Sequence, residues 1–268
     1  MQFLRNLRIR TKILYGFATL VVIMVVIGIS SYRGMKQIKE RLDNIFLVRL
    51  PSIDFLIEAD RDLQQLLVAE RSMVFTDPAS EKYKSFVSEY NKNYQQSDER
   101  WNKFKALSSA EDEKKVISIY DQARTDWTAT SRKVLEELQK NTDETRKKAI
   151  EVTLGEASSK FELMREQLNV LTELNLANAE KASKEATDTY RLAMTVLMVT
   201  IGVGIVIGVV LAGVIGFSIA QPINAAMATL KDIAEGEGDL TKSLPAQSKD
   251  EVGELSRWFN LFLGKLQG

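Results

Sequence analysis

The chain has no cysteine and no histidine in 268 residues, and only four prolines. The first two absences remove disulfides, thiol nucleophiles, imidazole bases, haem ligation by histidine and most zinc sites. Catalysis would have to rest on carboxylates alone. No pair of acids is marked out for that role, since nearly every Asp and Glu sits among Lys and Arg at helical spacing, so no catalytic residue, metal site or cofactor is expected. The missing cysteines fit an oxidising compartment. Net charge is also lacking: Lys+Arg and Asp+Glu stand at 36 each. A nucleic-acid-binding chain would show a basic patch or stripe, and nucleic acid is set aside as a partner.

Helix breakers are scarce as well. Gly155 is the only glycine between Met35 and Ile201, and Pro78 the only proline between Ser52 and Gln221. Few breakers mean few loops, and the intervening Lys, Glu, Gln, Ala and Leu are good helix formers. Three interruptions stand out. Thr76-Asp77-Pro78 places a cap residue before a proline at the first helical position. Leu107-Ser108-Ser109-Ala110-Glu111-Asp112 reads as a stop and a capping box. Asn141-Thr142-Asp143-Glu144 offers another cap with an acidic first turn. The spacing predicts four helices near 33–75, 79–106, 110–140 and 143–190.

Apolar stripes support the count. The second helix carries Tyr83, Val87, Tyr90, Tyr94, Ser97, Trp101 and Phe104 at alternating steps of four and three, a coiled-coil seam. The third carries Val116, Tyr120, Ala123, Trp127, Thr130 and Val134. The fourth runs Phe161, Met164, Leu168, Leu171, then Asn175, Asn178, Ala182 and Ala186. The first has Met35, Ile38, Leu42, Ile45, then Leu56, Ala59, Leu63, Leu66 and Met73. Four stripes with short connections predict an antiparallel up-down bundle. Pro51 is expected to kink the first helix or to be absorbed by a local irregularity. Glu70, Asn175 and Asn178 on the seams suit register control.

Long uncharged runs are present twice, from Ile13 to Tyr32 and from Leu192 to Gln221. About 20 apolar residues cross a membrane as a helix, so two spans are predicted. Arg5, Arg8, Arg10 and Lys12 precede the first with no acid among them, which puts the N-terminus in the cytoplasm. Ser30-Ser31-Tyr32 run straight into amphipathic helix, so the first span is read as an uncleaved anchor. In the second, Gly204, Gly208, Ala212 and Gly216 make a small-residue face for helix contact.

After the second span come Gln221-Pro222-Ile223, Gly236-Glu237-Gly238-Asp239-Leu240, Pro245 and Asp250-Glu251-Val252-Gly253-Glu254-Leu255. Ile223, Ala226, Leu230 and Ile233 form one seven-residue seam, and Val252, Leu255, Phe259, Phe262 and Leu266 another. Two short parallel helices cannot bury such seams alone, so a second copy of the chain is required. The proline, the Gly-Asp-Leu turn and the Asp-Glu-Val-Gly-Glu-Leu entry resemble a complete HAMP module. In layout the chain is similar to bacterial methyl-accepting chemotaxis receptors with a four-helix-bundle sensor, and its opening Leu7-Arg8-Ile9-Arg10-Thr11-Lys12 also resembles that family.

The expected organisation is an all-α membrane protein: a basic cytoplasmic N-terminus (1–12), first span (13–32), periplasmic four-helix-bundle sensor (33–190), second span (191–219) and a parallel coiled-coil HAMP domain (220–268). The resemblance implies a homodimer in the bacterial inner membrane that senses a periplasmic small molecule. It also implies that a cytoplasmic histidine kinase and adaptor are reached through a C-terminal region expected beyond Gly268. Relay through Pro222, Ile223, Leu230, Ile233, Gly238, Leu240, Leu244, Glu251, Val252, Leu255, Phe259 and Phe262 follows from the module. The same layout serves as the input region of sensor histidine kinases or nucleotide cyclases, which stays an alternative.

Ligand-site candidates are fewer. Enteric receptors of this family grip a ligand carboxylate with arginines near the distal end of the first helix, which implies Arg71, with Arg61 the nearest other. Tyr90, Tyr94 and Trp127 on the aromatic stripe are candidate pocket walls, although heptad spacing by itself assigns them to the core.

Overall fold

The structure, a computed structural model, describes residues 7–235, 243, 244, 246 and 248–267. Arg5, Gly238, Leu240 and Pro245 lie outside the described residues, as do the side chains of Ile233 and Leu266. All elements among the described residues are helical: α1 (Ile9–Asn44), a π-turn (Ile45–Arg49), α2 (Leu50–Val74), α3 (Glu81–Leu107), α4 (Glu111–Gln139), α5 (Asp143–Leu154), α6 (Glu156–Glu235) and α7 (Glu251–Gln267). They form two compact units, Lys36–Thr189 and Met1–Met35 with Tyr190–Gly268.

In the first unit, the end of α1 with α2 makes one column of a bundle, α3 and α4 two more, and α5 with the start of α6 the fourth. The core is the set the stripes predict, with Leu56, Leu63, Leu66, Met73, Trp101, Phe104, Tyr120, Trp127, Phe161, Met164, Leu168 and Leu171 all essentially sealed from solvent. Fully burying each large side chain contributes about 1.5–3 kcal/mol. The Trp101 and Tyr120 rings pack with centroids 4.1 Å apart and planes tilted by 45° between α3 and α4, and the Trp127 ring centroid lies 5.3 Å from that of Phe161. At the start of the first column the pattern fades: Leu42 is exposed, as is Met35 at the end of the other unit's first segment.

Proline at 51 does not break the column. The π-turn immediately before it adds the residue that a missing N–H and a bulky ring demand, and α2 restarts with Pro51 in its first turn. Two expected caps are corrected. The turn after α2 is closed by Asp77, whose Oδ1 accepts from the Ala79 N–H at 3.0 Å, and α3 starts three residues after Pro78 with Ser80 as cap, its Oγ accepting from the Tyr83 N–H at 3.1 Å. At α4 the cap position is Ala110, without a side-chain bond, because the Ser108 hydroxyl instead donates to Glu113 at 2.6 Å. The third cap stands as expected: Thr142 and Thr145 form a reciprocal capping box.

The fourth column also differs from its expected continuity, for it breaks at Gly155. A Cβ there would sit 2.7 Å from the Glu151 carbonyl oxygen, so only glycine fits the close approach that joins α5 to α6.

Among the described residues, α1 and α6 are the two helices long and apolar enough to cross a membrane. The small-residue face of α6 meets α1 of its own chain: a Cβ on Gly204 would lie 3.3 Å from Ile23, and one on Gly208 3.8 Å from Leu20. Ala212 and Gly216 line an apolar groove with Phe17 and Leu20 of α1. Pro222 lies inside α6, which runs on to Glu235, so it does not open a new helix as the sequence pattern suggests.

Candidate ligand groove and relay contacts

Several charged residues lie inside the sensor core. At one level of the bundle, Arg49 of the π-turn is buried and donates to Glu113 of α4 and, at 3.1 Å, to Asn175 Oδ1 of α6. Glu113 takes a second hydrogen bond from Ser108. One buried ion pair thus ties three columns, and its partners satisfy one another, which is the condition for burying charge without heavy loss. Asn175, read from its seam position as a register residue, is part of this clasp.

Toward the α2–α3 turn, Glu70 of α2 is fully buried and accepts from Ser131 of α4 and Thr153 of α5. Burial pushes its carboxyl above the ordinary range, and the two hydroxyl bonds and the Arg71 charge only partly offset this. Ser131 also meets the Tyr90 hydroxyl at 2.8 Å, and burial raises that phenol to about 12.

The residues singled out for ligand binding are not gathered at one place. Arg61 lies on the outward face of α2, paired to Asp62 and Glu58 of the same helix. Arg71 is half-buried, with one nitrogen 3.4 Å from the Ser158 hydroxyl and Nε without a partner. Tyr90 and Trp127 are core residues. Tyr94 alone lines a groove, together with Asp98, Trp101, Arg124 and Thr128, in a cavity of about 470 Å³ between α3 and α4.

Arg124 is the residue the sequence reading passed over. It is 5% exposed, donates to the Ser97 hydroxyl at 3.1 Å and lies over the Tyr94 ring at 5.2 Å. Its signal was available: it stands four residues after Tyr120 and three before Trp127, a charged residue on a core-facing stripe.

In the second unit, the Asp-Glu-Val-Gly segment makes specific contacts. Asp250 accepts from Lys12 at 2.8 Å, from Ser248 and from the Gly253 N–H, while Glu251 accepts from the Ile9 N–H at 2.8 Å at the start of α1. Burial pushes the Asp250 carboxyl up, but these hydrogen bonds prevail and hold it below its ordinary value. Gly253 is required because a Cβ would overlap the Ser248 carbonyl oxygen, at 1.9 Å. Leu244 is buried, and Asn260 of α7 bonds both its N–H and its carbonyl. On the predicted seams Ala226 and Val252 are buried, Phe259 is half-buried, and Ile223, Leu230, Leu255 and Phe262 stand open.

A family model described as a four helix bundle sensory module for signal transduction matches residues 6–190. The chain belongs to this family. A second model, the HAMP domain, matches residues 214–268 of the sensory-module chain. Methyl-accepting chemotaxis protein TlpQ of Pseudomonas aeruginosa is 44% identical over 72 residues, 26% of this chain and 10% of that protein. Methyl-accepting chemotaxis protein CtpM of the same organism is 44% identical over 78 residues, 28% of this chain and 14% of that protein. The Bacillus subtilis protein YvaQ is 22% identical over 264 residues, 98% of this chain and 45% of that protein. The chain spans less than half the length of these curated relatives. No solved structure matches it. It is a chemoreceptor-type sensory module joined to a HAMP signal-transduction domain.

Proposed function

We propose that the chain works as a homodimeric bacterial inner-membrane chemoreceptor, with both termini cytoplasmic and the four-helix sensor periplasmic. Ligand occupancy of the sensor shifts α6, and the HAMP seams repack to pass the signal to a cytoplasmic histidine kinase and its adaptor. It has no catalytic role of its own. The observation that carries this reading is α6 itself, one helix from Glu156 to Glu235 that begins in the sensor, supplies the second apolar span and ends in the first HAMP helix.

Three features support it. Arg8, Arg10 and Lys12 at the start of α1 favour a cytoplasmic N-terminus. Leu50, Ile57 and Val68 are exposed on the face of α2 opposite its core residues, with Arg61 among them, and so offer a surface for a second copy. Ile223, Leu230, Leu255 and Phe262 offer the same in the HAMP segment. Binding must favour one of two bundle arrangements, and the energy relayed cannot exceed that difference in affinity.

The test uses the natural absence of cysteine. A membrane-impermeant maleimide applied to cells with an opened outer membrane is expected to label Lys115→Cys and to spare Lys265→Cys until the cells are lysed. Labelling of position 265 in intact cells, with 115 protected, overturns the topology.

A further inference from the structure

We infer that the groove between α3 and α4 is a ligand site within a single protomer, and that it takes a small organic monocarboxylate on the Arg124 guanidinium. This deepens the receptor reading and rests on it.

The floor of the groove is polar, buried and incompletely bonded. Arg124 Nη2 donates to Ser97 and Nη1 pairs with Asp98 at 3.5 Å, the acid's side chain being about half exposed; the buried Tyr120 hydroxyl, one turn back, lies beside the same guanidinium, whose Nε and Nη1 make no hydrogen bond of good geometry. One turn further along α4, the Thr128 hydroxyl is likewise buried without a partner. Buried donors left unbonded are destabilising, the more so when charged, and such groups in a native protein call for an explanation. A ligand oxygen on Arg124 and another on Thr128 supplies it. Asp98, 3.5 Å from Arg124 and accepting from Asn102 one turn on, turns outward toward Asn102 as the ligand enters.

Shape and charge narrow the class. At about 470 Å³ the cavity is of ligand-site size, and the Tyr94 and Trp101 rings give it apolar walls. Asp98 and Asp121 at the rim oppose Lys105 and Arg132. The two acids and two bases at the rim offset one another and leave the single charge of Arg124, which a monocarboxylate balances charge for charge and a dianion such as phosphate does not. The Thr128 hydroxyl selects acids with a further oxygen, hydroxy- or oxo-acids, over acetate.

The experiment follows the melting temperature of the full chain in lipid nanodiscs, with sodium L-lactate, pyruvate, acetate and phosphate titrated against sodium chloride at matched ionic strength. Lactate and pyruvate are expected to raise it most, acetate less and phosphate not at all. Arg124→Lys abolishes the rise. Thr128→Val, close in shape and safe for folding, raises the half-maximal lactate concentration about fivefold, the worth of one neutral hydrogen bond, and leaves the acetate response unchanged. The inference is overturned if neither lactate nor pyruvate shifts melting, if phosphate does so equally, or if the rise survives Arg124→Lys. A rise kept in Arg124→Lys and lost in Arg71→Lys removes the groove while the receptor reading stands.

Discussion

The Lys12 ammonium donates to Asp250 Oδ2 at 2.8 Å, with both side chains at most 2% exposed. A residue at the foot of the first apolar span is therefore bonded to the Asp-Glu-Val-Gly segment that opens α7, and the neighbouring Ile9 N–H to Glu251 reinforces the join. Removing one partner of a buried pair leaves the other charge stranded, at a cost of about 3–5 kcal/mol, while replacing both with apolar residues is often neutral. Lys12→Met is expected to speed amide exchange across α7 by orders of magnitude. The double change Lys12→Met with Asp250→Asn, which removes the stranded charge and keeps an acceptor for Ser248 and the Gly253 N–H, restores much of the protection. Equal exchange in the single variant and the unaltered chain contradicts a structural role for the pair.

The Arg49 clasp makes a similar prediction in the sensor. Arg49→Ala leaves Glu113 buried with only the Ser108 hydroxyl bond, so unfolding in urea should fall by about 3–5 kcal/mol. Lys36→Ala, in an exposed pair with Glu40, should change stability by less than about 1 kcal/mol.

Glu70 predicts a pH dependence. Burial holds its folded pKa above the ordinary 4.5, so the native state keeps a proton that the unfolded chain releases. Below 4.5 both states are protonated and the contribution is fully present; it is lost as pH rises from 4.5 through the higher folded value. Glu70→Gln, which keeps the acceptor oxygen, should flatten the melting curve over that window. An unchanged slope contradicts the assignment.

Gly155→Ala tests the break in the fourth column. The new methyl meets a backbone oxygen, which cannot swing aside as a side chain does, and the expected loss is about 1–3 kcal/mol. A helix propensity gain of about 1 kcal/mol for alanine over glycine is the opposite prediction, made by anyone reading α5 and α6 as one uninterrupted helix.

The bundle columns and the two long apolar helices were legible because each rests on local periodicity or composition: Tyr83 to Phe104 and Tyr120 to Val134 announce their buried faces. Thr142 announced its cap for the same reason. The sequence reading failed where a side chain chooses a distant partner over a near one. Ser108 looks like a cap but serves Glu113, and Asp77 precedes Pro78 but accepts from the Ala79 N–H, so Ser80 caps α3. The Lys12–Asp250 and Arg49–Asn175 contacts join residues 238 and 126 positions apart, which no local pattern encodes. Arg124 was hidden because stripe reading counts apolar residues and steps over the charge between them. The break at Gly155 was legible only as a lone glycine; its cause, the approach of the Glu151 carbonyl, is a backbone fact.

The central claim is that the HAMP seams left open in one chain are closed by a second. In native membranes, oxidation of Leu255→Cys or Phe262→Cys is predicted to give a disulfide-linked dimer rapidly, while Arg257→Cys, on the opposite face of α7, gives little. Failure of both seam cysteines to cross-link, or cross-linking at position 257 with equal speed, contradicts it.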